Sequence, residues 1–419
     1  MTNPGRFIMH IDANSAYLSW EAVYRLQHGD PIDLRTIPAV IGGDPKTRHG
    51  IVLTKSIPAK KYKILTGEAL YAALQKCPHL TIVRPNYSLY MQCSQAMVDI
   101  LRQYSPSVQR YSVDECFLDY TGCERLFGDP LTAAGRIKDH IKNELGFTVN
   151  IGVAHNKLLA KMASELKKPD MVHTMWEDEI PAKLWPLPVE EMFGVGRATG
   201  PKLRSRGIYT IGDLAKADRE MLRLWLKSYG LLLHGYANGL ETSPVHKGNW
   251  LPLKGIGNST TIPFDVDNAA EAHLALLSLT ETVAMRLRRH GLLARLVSVH
   301  VRNSDMLSYG HQHKMDLATD CTMTIHREAC RLFDSIWQGE PLRHLGVRVS
   351  ELCTSEMLQI SIFDAFWEKQ KAADQVVDLI RQRFGPKALI RSSFLFSGLK
   401  PLTGGVGDEG EYPLMASIL

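Results

Sequence analysis

The sequence lacks any Cys-x-x-Cys pair. Its seven cysteines (Cys77, Cys93, Cys116, Cys123, Cys321, Cys330 and Cys353) are odd in number and scattered, which argues against a disulfide framework or a structural zinc site and leaves reduced thiols as the expectation. Also missing is any run near the roughly 20 uninterrupted apolar residues of a spanning helix. The N-terminus, MTNPGRFIMHID, enters a charged strand without an apolar signal core or cleavage site, so a membrane protein is disfavoured and a cytoplasmic location expected. Internal repeats and long low-complexity runs do not occur. Net charge is small, 49 basic against 44 acidic residues giving +5, too little to prove a polyanionic partner. What is present is a chain of 419 residues, 45% hydrophobic and 22% charged, able to bury a large core and long enough for roughly two to four domains.

The charge is unevenly spread. Between Thr282 and Ser304 stand Arg286, Arg288, Arg289, Arg295 and Arg302 with no acid, and between Phe193 and Gly212 stand Arg197, Lys202, Arg204 and Arg206 with none. Such patches suit a phosphate backbone, although a charge run taken singly is as readily a solvated face. Up to about Thr174, apolar strands (FIMHI, VLTKS, LTIVR, TVNIGVA) alternate with amphipathic stretches at 16–28, 68–77, 88–104, 131–145 and 157–168, the mark of an α/β unit. Short helices punctuated by glycine follow from Asp178 to about Asn238, then a Pro- and Gly-containing linker. A second small α/β domain is expected over 256–351, and the last segment holds one helix near 365–384.

Two places carry chemistry. In FIMHIDANSAYLSWE an apolar strand ends in Asp12, and a helix begins after Asn14 or Ser15, either of which could cap it. In YSVDECFLDY a β-rich run is interrupted by the adjacent acids Asp114 and Glu115, costly between apolar neighbours unless something cationic sits there. One Asp from one strand and an Asp-Glu pair from a neighbouring hairpin make a three-carboxylate cluster able to hold two Mg²⁺ ions about 3.5–4 Å apart. The plainer alternative is a cap for Asp12 and a turn for Asp114–Glu115. After Asn156, Lys157, Lys161, Ser164 and Lys168 form one helical stripe opposite Leu158, Leu159, Met162, Ala163 and Leu166. That stripe can face phosphate, or it can be a solvated face.

IDANSAY, SVDECFLD and GVAHNKLLAKMASELKKP together resemble the palm of Y-family DNA polymerases, the translesion group, and the resemblance covers about residues 6–352 in order. It implies a ferredoxin-like palm with small fingers (1–175, fingers about 16–84), a helical thumb (176–240), a linker (241–255), a separate α/β little finger (256–352) and a C-terminal tail (353–419). By resemblance Asp12, Asp114, Glu115 and the carbonyl of Ala13 hold two Mg²⁺ ions. Ser15, Ala16, Tyr17, Lys60 and Lys168 bind the incoming nucleotide, and Tyr17 is the steric gate against a 2′-hydroxyl. Alone, Tyr17 would read as an ordinary packed aromatic. One departure stands out: in LTKSIPAKKYK, Ile57 replaces the family's tyrosine and Lys60 its arginine, and lysine lacks the bidentate fork.

LPVEEMFGVGRATGPKLRSRGIYTIGDL has the form of a helix-hairpin-helix, in which Gly194 and Gly196 permit close backbone approach and Lys202 and Arg204 add charge. Duplex gripped without sequence preference is the implied ligand. In RLVSVHVR, Arg295 shares a strand face with Val297, Val299 and Val301, while Arg302 shares the other with Leu296, Ser298 and His300; both arginines are candidate DNA contacts. Beyond it, LQISIFD resembles a bacterial sliding-clamp peptide anchored by Gln359, Ile362 and Phe363, with docking on the chain's own little finger as the alternative. The expected protein is a monomeric template-directed DNA polymerase of low fidelity and processivity, binding primer-template DNA, dNTP and the clamp. The competing expectation is a non-catalytic DNA-binding scaffold.

Overall fold

The structure, a computed structural model, describes residues 5–43, 50–246, 253–354 and 367–402. Its first strand, β1 (Ile8–Ala13), is buried at all six positions, because it runs through the middle of a sheet covered on both faces. The helix Ala16–Gln27 leads from it into a small three-stranded sheet of β2 (Ala39–Gly42), β3 (Val52–Lys55) and β4 (Thr81–Val83) in the order β3-β2-β4. The chain then returns through the helix Tyr87–Tyr104 to β5 (Val108–Arg110) and β6 (Glu115–Asp119). Next come the helix Pro130–Leu145, β7 (Val149–Ala154), the helix Lys157–Glu165 and β8 (Val172–Thr174).

The large sheet has the order β5-β6-β1-β7-β8, with only β7 and β8 parallel. With the finger strands set aside, β1, helix, β5, β6, helix, β7 is a βαββαβ unit, the ferredoxin-like palm that the sequence leads one to expect. Strand alternation sorts its side chains. Met9, Ile11, Val149, Ile151 and Val153 pack with Trp20, Met97, Leu101, Ile137 and Ile141 on one face. On the other face Ile8, Phe117 and Ala154 meet Leu158, Leu159, Met162 and Ala163. The helix Lys157–Glu165 lies so close on β7 that a Cβ on Gly152 would come 1.9 Å from the Ala160 carbonyl oxygen, so no other residue fits there. This second core continues into the thumb through Leu184, Val189, Ile211, Leu222 and Leu233, carried on short helices that include Thr199–Arg204, Ile211–Lys216, Arg219–Leu226 and Ser228–Ala237.

A second compact unit is formed mainly by 253–354 and 367–402. Its sheet, β9 (Gly255–Val266), β10 (Leu292–Asn303), β11 (Ser308–Thr319) and β12 (Leu342–Thr354), has the antiparallel order β11-β10-β12-β9. The helices Ala269–Arg289 and Thr322–Asp334 cover one face, packing Leu276, Leu279, Val283, Ile325 and Phe333 on Val297, Val299, Val301, Val347 and Val349. The other face is open: Gly257, Ser259, Ser298, His300, Gly346 and Arg348 line a concavity of about 660 Å³ across it.

The C-terminal helix is described over Trp367–Phe384, within the stretch expected to be helical. It belongs to the second unit rather than to a free tail. Asp374 and Asp378 receive Arg288 at 3.3 and 2.6 Å, and Glu281 receives Arg381 at 3.2 Å and Arg391 at 2.8 Å. Five arginines without a nearby acid in sequence are therefore not one open patch, since Arg288 is only 8% exposed.

Candidate active site

Asp12 stands directly opposite Glu115 on β6 and opposite Asn150 on β7. Residues directly opposed in an antiparallel pair share a face, so Asp12 and Glu115 point together to the side covered by the helix Lys157–Glu165. The end of that helix brings a third carboxylate. Oxygens of Asp12, Glu115 and Glu165 lie within 4.8 Å of one another, the one such acidic, His or Cys group among the described residues. Two lysines offset the repulsion: Lys161 donates to Glu115 at 2.5 Å, and Lys168 to Asp12 at 2.9 Å and Glu165 at 2.8 Å. Tyr111 lies beneath Lys161, its ring centroid 5.1 Å from the ammonium. Burial pushes the Asp12 carboxyl up to about 7 against the pull of Lys168. Burial also opposes charge on Lys168, but Asp12 and Glu165 hold its ammonium above the ordinary lysine range.

Asp114 sits just before β6. Its carboxylate accepts from Ser112 at 2.6 Å, and its carbonyl accepts the Ala13 N–H at 3.0 Å, tying the hairpin to the end of β1. Ser15 occupies the N-cap position of Ala16–Gln27 with left-handed backbone (φ 49°) and no side-chain cap, a conformation that costs a non-glycine residue about 1–3 kcal/mol. Asn14 does not cap either. It donates to Asn150 at 3.2 Å and accepts from Thr148 at 3.0 Å and the Asp170 N–H at 2.9 Å. Asn150 in turn donates to the carbonyls of Ser164 and Lys167. This amide pair fixes the turn that carries Lys168. Ala16 is buried, and the Tyr17 ring stacks on Tyr90 with centroids 4.5 Å apart and planes 9° from parallel.

The lysine stripe is neither solvated nor one helix. The helix ends at Glu165, before Lys168; Lys157 is 3% exposed, with its ammonium 5.7 Å from the Phe117 ring centroid, and Ser164 is bonded to buried His10 at 2.8 Å. Glu165 and Asn150 went unread as site residues. The signal for Asn150 was a lone amide inside the apolar strand TVNIGVA, and that for Glu165 its helical spacing, four residues after Lys161 and three before Lys168.

Elsewhere, Lys60 ends the short Ser56-capped helix Ile57–Lys60 and is exposed, as is Ile57. Gly194 has φ 91°, and a Cβ there would meet Tyr229 at 3.1 Å, while Gly196 faces open space. Arg204 pairs with Glu190 at 3.0 Å, half exposed, and Lys202 is exposed. Arg295 lies at a bulge in β10, its Nε buried and without a hydrogen-bond partner among the described residues. Arg302, by contrast, donates to Ser308 at 2.9 Å near the end of β10. Gln359, Ile362 and Phe363 lie outside the described residues.

A carboxylate cluster on a ferredoxin-like palm, followed by a helical thumb and a separate four-stranded unit, defines a Y-family polymerase architecture. The chain belongs to the impB/mucB/samB family: that family matches residues 11–165, its helix-hairpin-helix motif 177–208 and its C-terminal domain 253–362. It is 43% identical over 391 residues to the DNA polymerase IV of Clostridium acetobutylicum, covering 93% of this chain and 98% of that one. It is 39% identical over 395 residues to the DNA polymerase IV of Acetivibrio thermocellus, and 33% identical over 397 residues to DNA polymerase IV 2 of Bacillus subtilis. The alignments cover 93% of this chain in both cases, and 98% and 95% of the relatives. Its fold matches a solved Y-family DNA polymerase chimera with a TM-score of 0.70 at 20% identity, over 83% of this chain and all of that one. No described helix is long and apolar enough to cross a membrane.

Proposed function

We infer that the chain is a template-directed DNA polymerase of translesion type, a nucleotidyltransferase of DNA repair. The observation that carries the reading is the cross-strand pair Asp12–Glu115 at the centre of a palm, in a chain whose relatives are DNA polymerases IV. An intact cluster of acids speaks against the non-catalytic scaffold. Primer-template DNA and dNTP are the substrates of such an enzyme.

The reading includes two Mg²⁺ ions. The hard carboxylate oxygens of Asp12, Glu115 and Glu165, gathered within 4.8 Å, fit that cation's donor preference; Asp12, Glu115 and the Ala13 carbonyl would hold the pair together with Asp114, whose carboxylate stands outside that group on Ser112. Bound there, the ions would supply charge stabilisation to the phosphoryl group in transfer. The chain's own residues do the rest. The β1–β6 register fixes Asp12 and Glu115, and Asn14 and Asn150 fix the turn that carries Lys168. Lys168, once released from Asp12, can meet the triphosphate together with Lys60, while Ser15 and Ala16 line its approach. Tyr17, supported by Tyr90, excludes a 2′-hydroxyl. Gly194, Gly196, Lys202 and Arg204 of the thumb, with Arg295 and Arg302 of the second unit, hold duplex. The peptide Gln359, Ile362 and Phe363 tethers a monomer to the sliding clamp and makes rebinding effectively intramolecular.

Primer extension with Mg²⁺ and four dNTPs tests this reading. Asp12→Asn, Asp114→Ala and Glu115→Gln should each lose on the order of a thousandfold in rate, with primer-template affinity kept; wild-type rates in the variants would remove the acids from the reaction. In the same assay Tyr17→Ala should admit ribonucleotides on the order of a hundredfold more readily. Clamp stimulation that survives Ile362→Ala/Phe363→Ala would dismiss the tether.

A further inference from the structure

Lys168 has two carboxylate partners at nearly equal distance, Asp12 at 2.9 Å and Glu165 at 2.8 Å. Their surroundings differ. The Asp12 side chain is 11% exposed and Glu165 47%, so Asp12 is the oxygen donor any cation must win, while Glu165 stands at the rim. A lysine shared in this way occupies the charge position that a divalent ion would need. Without a second partner it would have to be pulled from Asp12 into water at the cost of a buried ion pair.

We propose that Glu165 is a positioning residue: it holds the Lys168 ammonium at the rim when Asp12 exchanges that ammonium for a cation, and so lowers the cost of loading the site. The geometry supports an exchange between partners rather than a fixed pair. Lys168 lies beyond the end of the helix that carries Glu165, on the turn anchored by Asn14 and Asn150. Its flexible stem can therefore shift towards Glu165 without moving the backbone. Lys161 has no comparable arrangement, since among the described residues its ammonium meets Glu115 alone of the three acids. Loss of the Glu165 charge would thus leave Lys168 competing for Asp12 by itself.

This inference rests on the two-cation reading above, and its test separates the two. Without dNTP, whose triphosphate would itself draw Lys168 away, no turnover occurs, and Mn²⁺ binding by the enzyme with primer-template DNA can be followed through the signal of the free ion in electron paramagnetic resonance. Glu165→Gln should weaken Mn²⁺ binding about five- to tenfold, Glu165→Asp less, and Lys168→Met should abolish the difference, so that Glu165→Gln in that background changes binding by less than about twofold. An equal loss in both backgrounds would make Glu165 a direct partner of the cation and overturn the proposal, as would Glu165→Gln without effect. Wild-type Mn²⁺ binding no stronger than that of Asp12→Asn/Glu115→Gln would overturn the cation reading itself, and the inference with it. Glu165 is half exposed, and circular dichroism of every variant separates a lost cation site from a failure to fold.

Discussion

The lysines of the palm and the arginines of the second unit meet acids in different ways. Lys161 and Lys168 are 13% and 30% exposed, and their carboxylates gather within 4.8 Å of one another. Arg288, 8% exposed, is closed over by the C-terminal helix, and Arg381, on that helix, is 4% exposed against Glu281. An ion pair with access to water can give up its partner to a ligand, whereas a sealed one can be broken only at the cost of a buried charge. The first arrangement suits a site that loads and empties; the second fastens one element to another.

The sharpest way to break this comparison is to remove one partner from each side. Arg381→Met leaves Glu281, which is 3% exposed, with the partly exposed Arg391, so the second unit should lose up to about 3 kcal/mol, the low end for a broken buried pair. Glu281→Met/Arg381→Met should recover most of it, because two apolar side chains replace the buried pair. Lys161→Met in the palm should cost less than half as much, since water already reaches the Glu115 side chain. Urea unfolding with hydrogen exchange resolved to each unit measures all three. Similar losses on both sides would mean that the sealed and open pairs do not differ.

The comparison also explains which parts were legible in the sequence. Asp12 and Glu115 could be read as a pair because strand alternation and an apolar context leave few places for adjacent acids. The order of strands and helices gave an α/β unit, and the resemblance of IDANSAY, SVDECFLD and GVAHNKLLAKMASELKKP to the family made it a ferredoxin-like palm. The fate of the arginines could not be read, because Asp374 and Asp378 lie 86 and 90 residues from Arg288 and no local pattern announces a contact at that separation. The lysine stripe misled for a related reason: helical periodicity shows that residues share a face, but not whether that face meets water or a sheet carrying acids.

A smaller effect comes from the proton on Asp12. In the metal-free chain burial raises this carboxyl from 3.8 to about 7, so between those values the folded state keeps a proton that the unfolded state has released. Its contribution to stability is therefore present in full below about pH 4 and is lost as pH rises through 7, with a slope of at most about 1.4 kcal/mol per pH unit. His10, held neutral by burial and the nearby lysines, works in the opposite direction below 6.5, so the useful quantity is the difference between wild type and Asp12→Asn. That difference should change across pH 4–7 in metal-free buffer. A flat difference would show that Lys168 keeps Asp12 ionised throughout, which would bring the palm pair closer to the sealed arginines.

The smallest expected effect tests whether any arginine of the basic run serves DNA. Arg302 is partly exposed at the end of β10, on the strand face opposite Val297, Val299 and Val301, whereas Arg288 is enclosed by Asp374 and Asp378. Each phosphate contact releases counterions, so loss of one should reduce the slope of log affinity against log salt by about 0.9. Arg302→Ala should show that reduction in a salt titration of primer-template binding. Arg288→Met, measured at a temperature where it remains folded, should leave the slope unchanged even though it weakens the fold. If both arginines altered the slope alike, the C-terminal helix would have to yield to DNA. If neither did, the open face of the second sheet would contact its ligand through His300, Arg348 and the glycine-lined concavity instead.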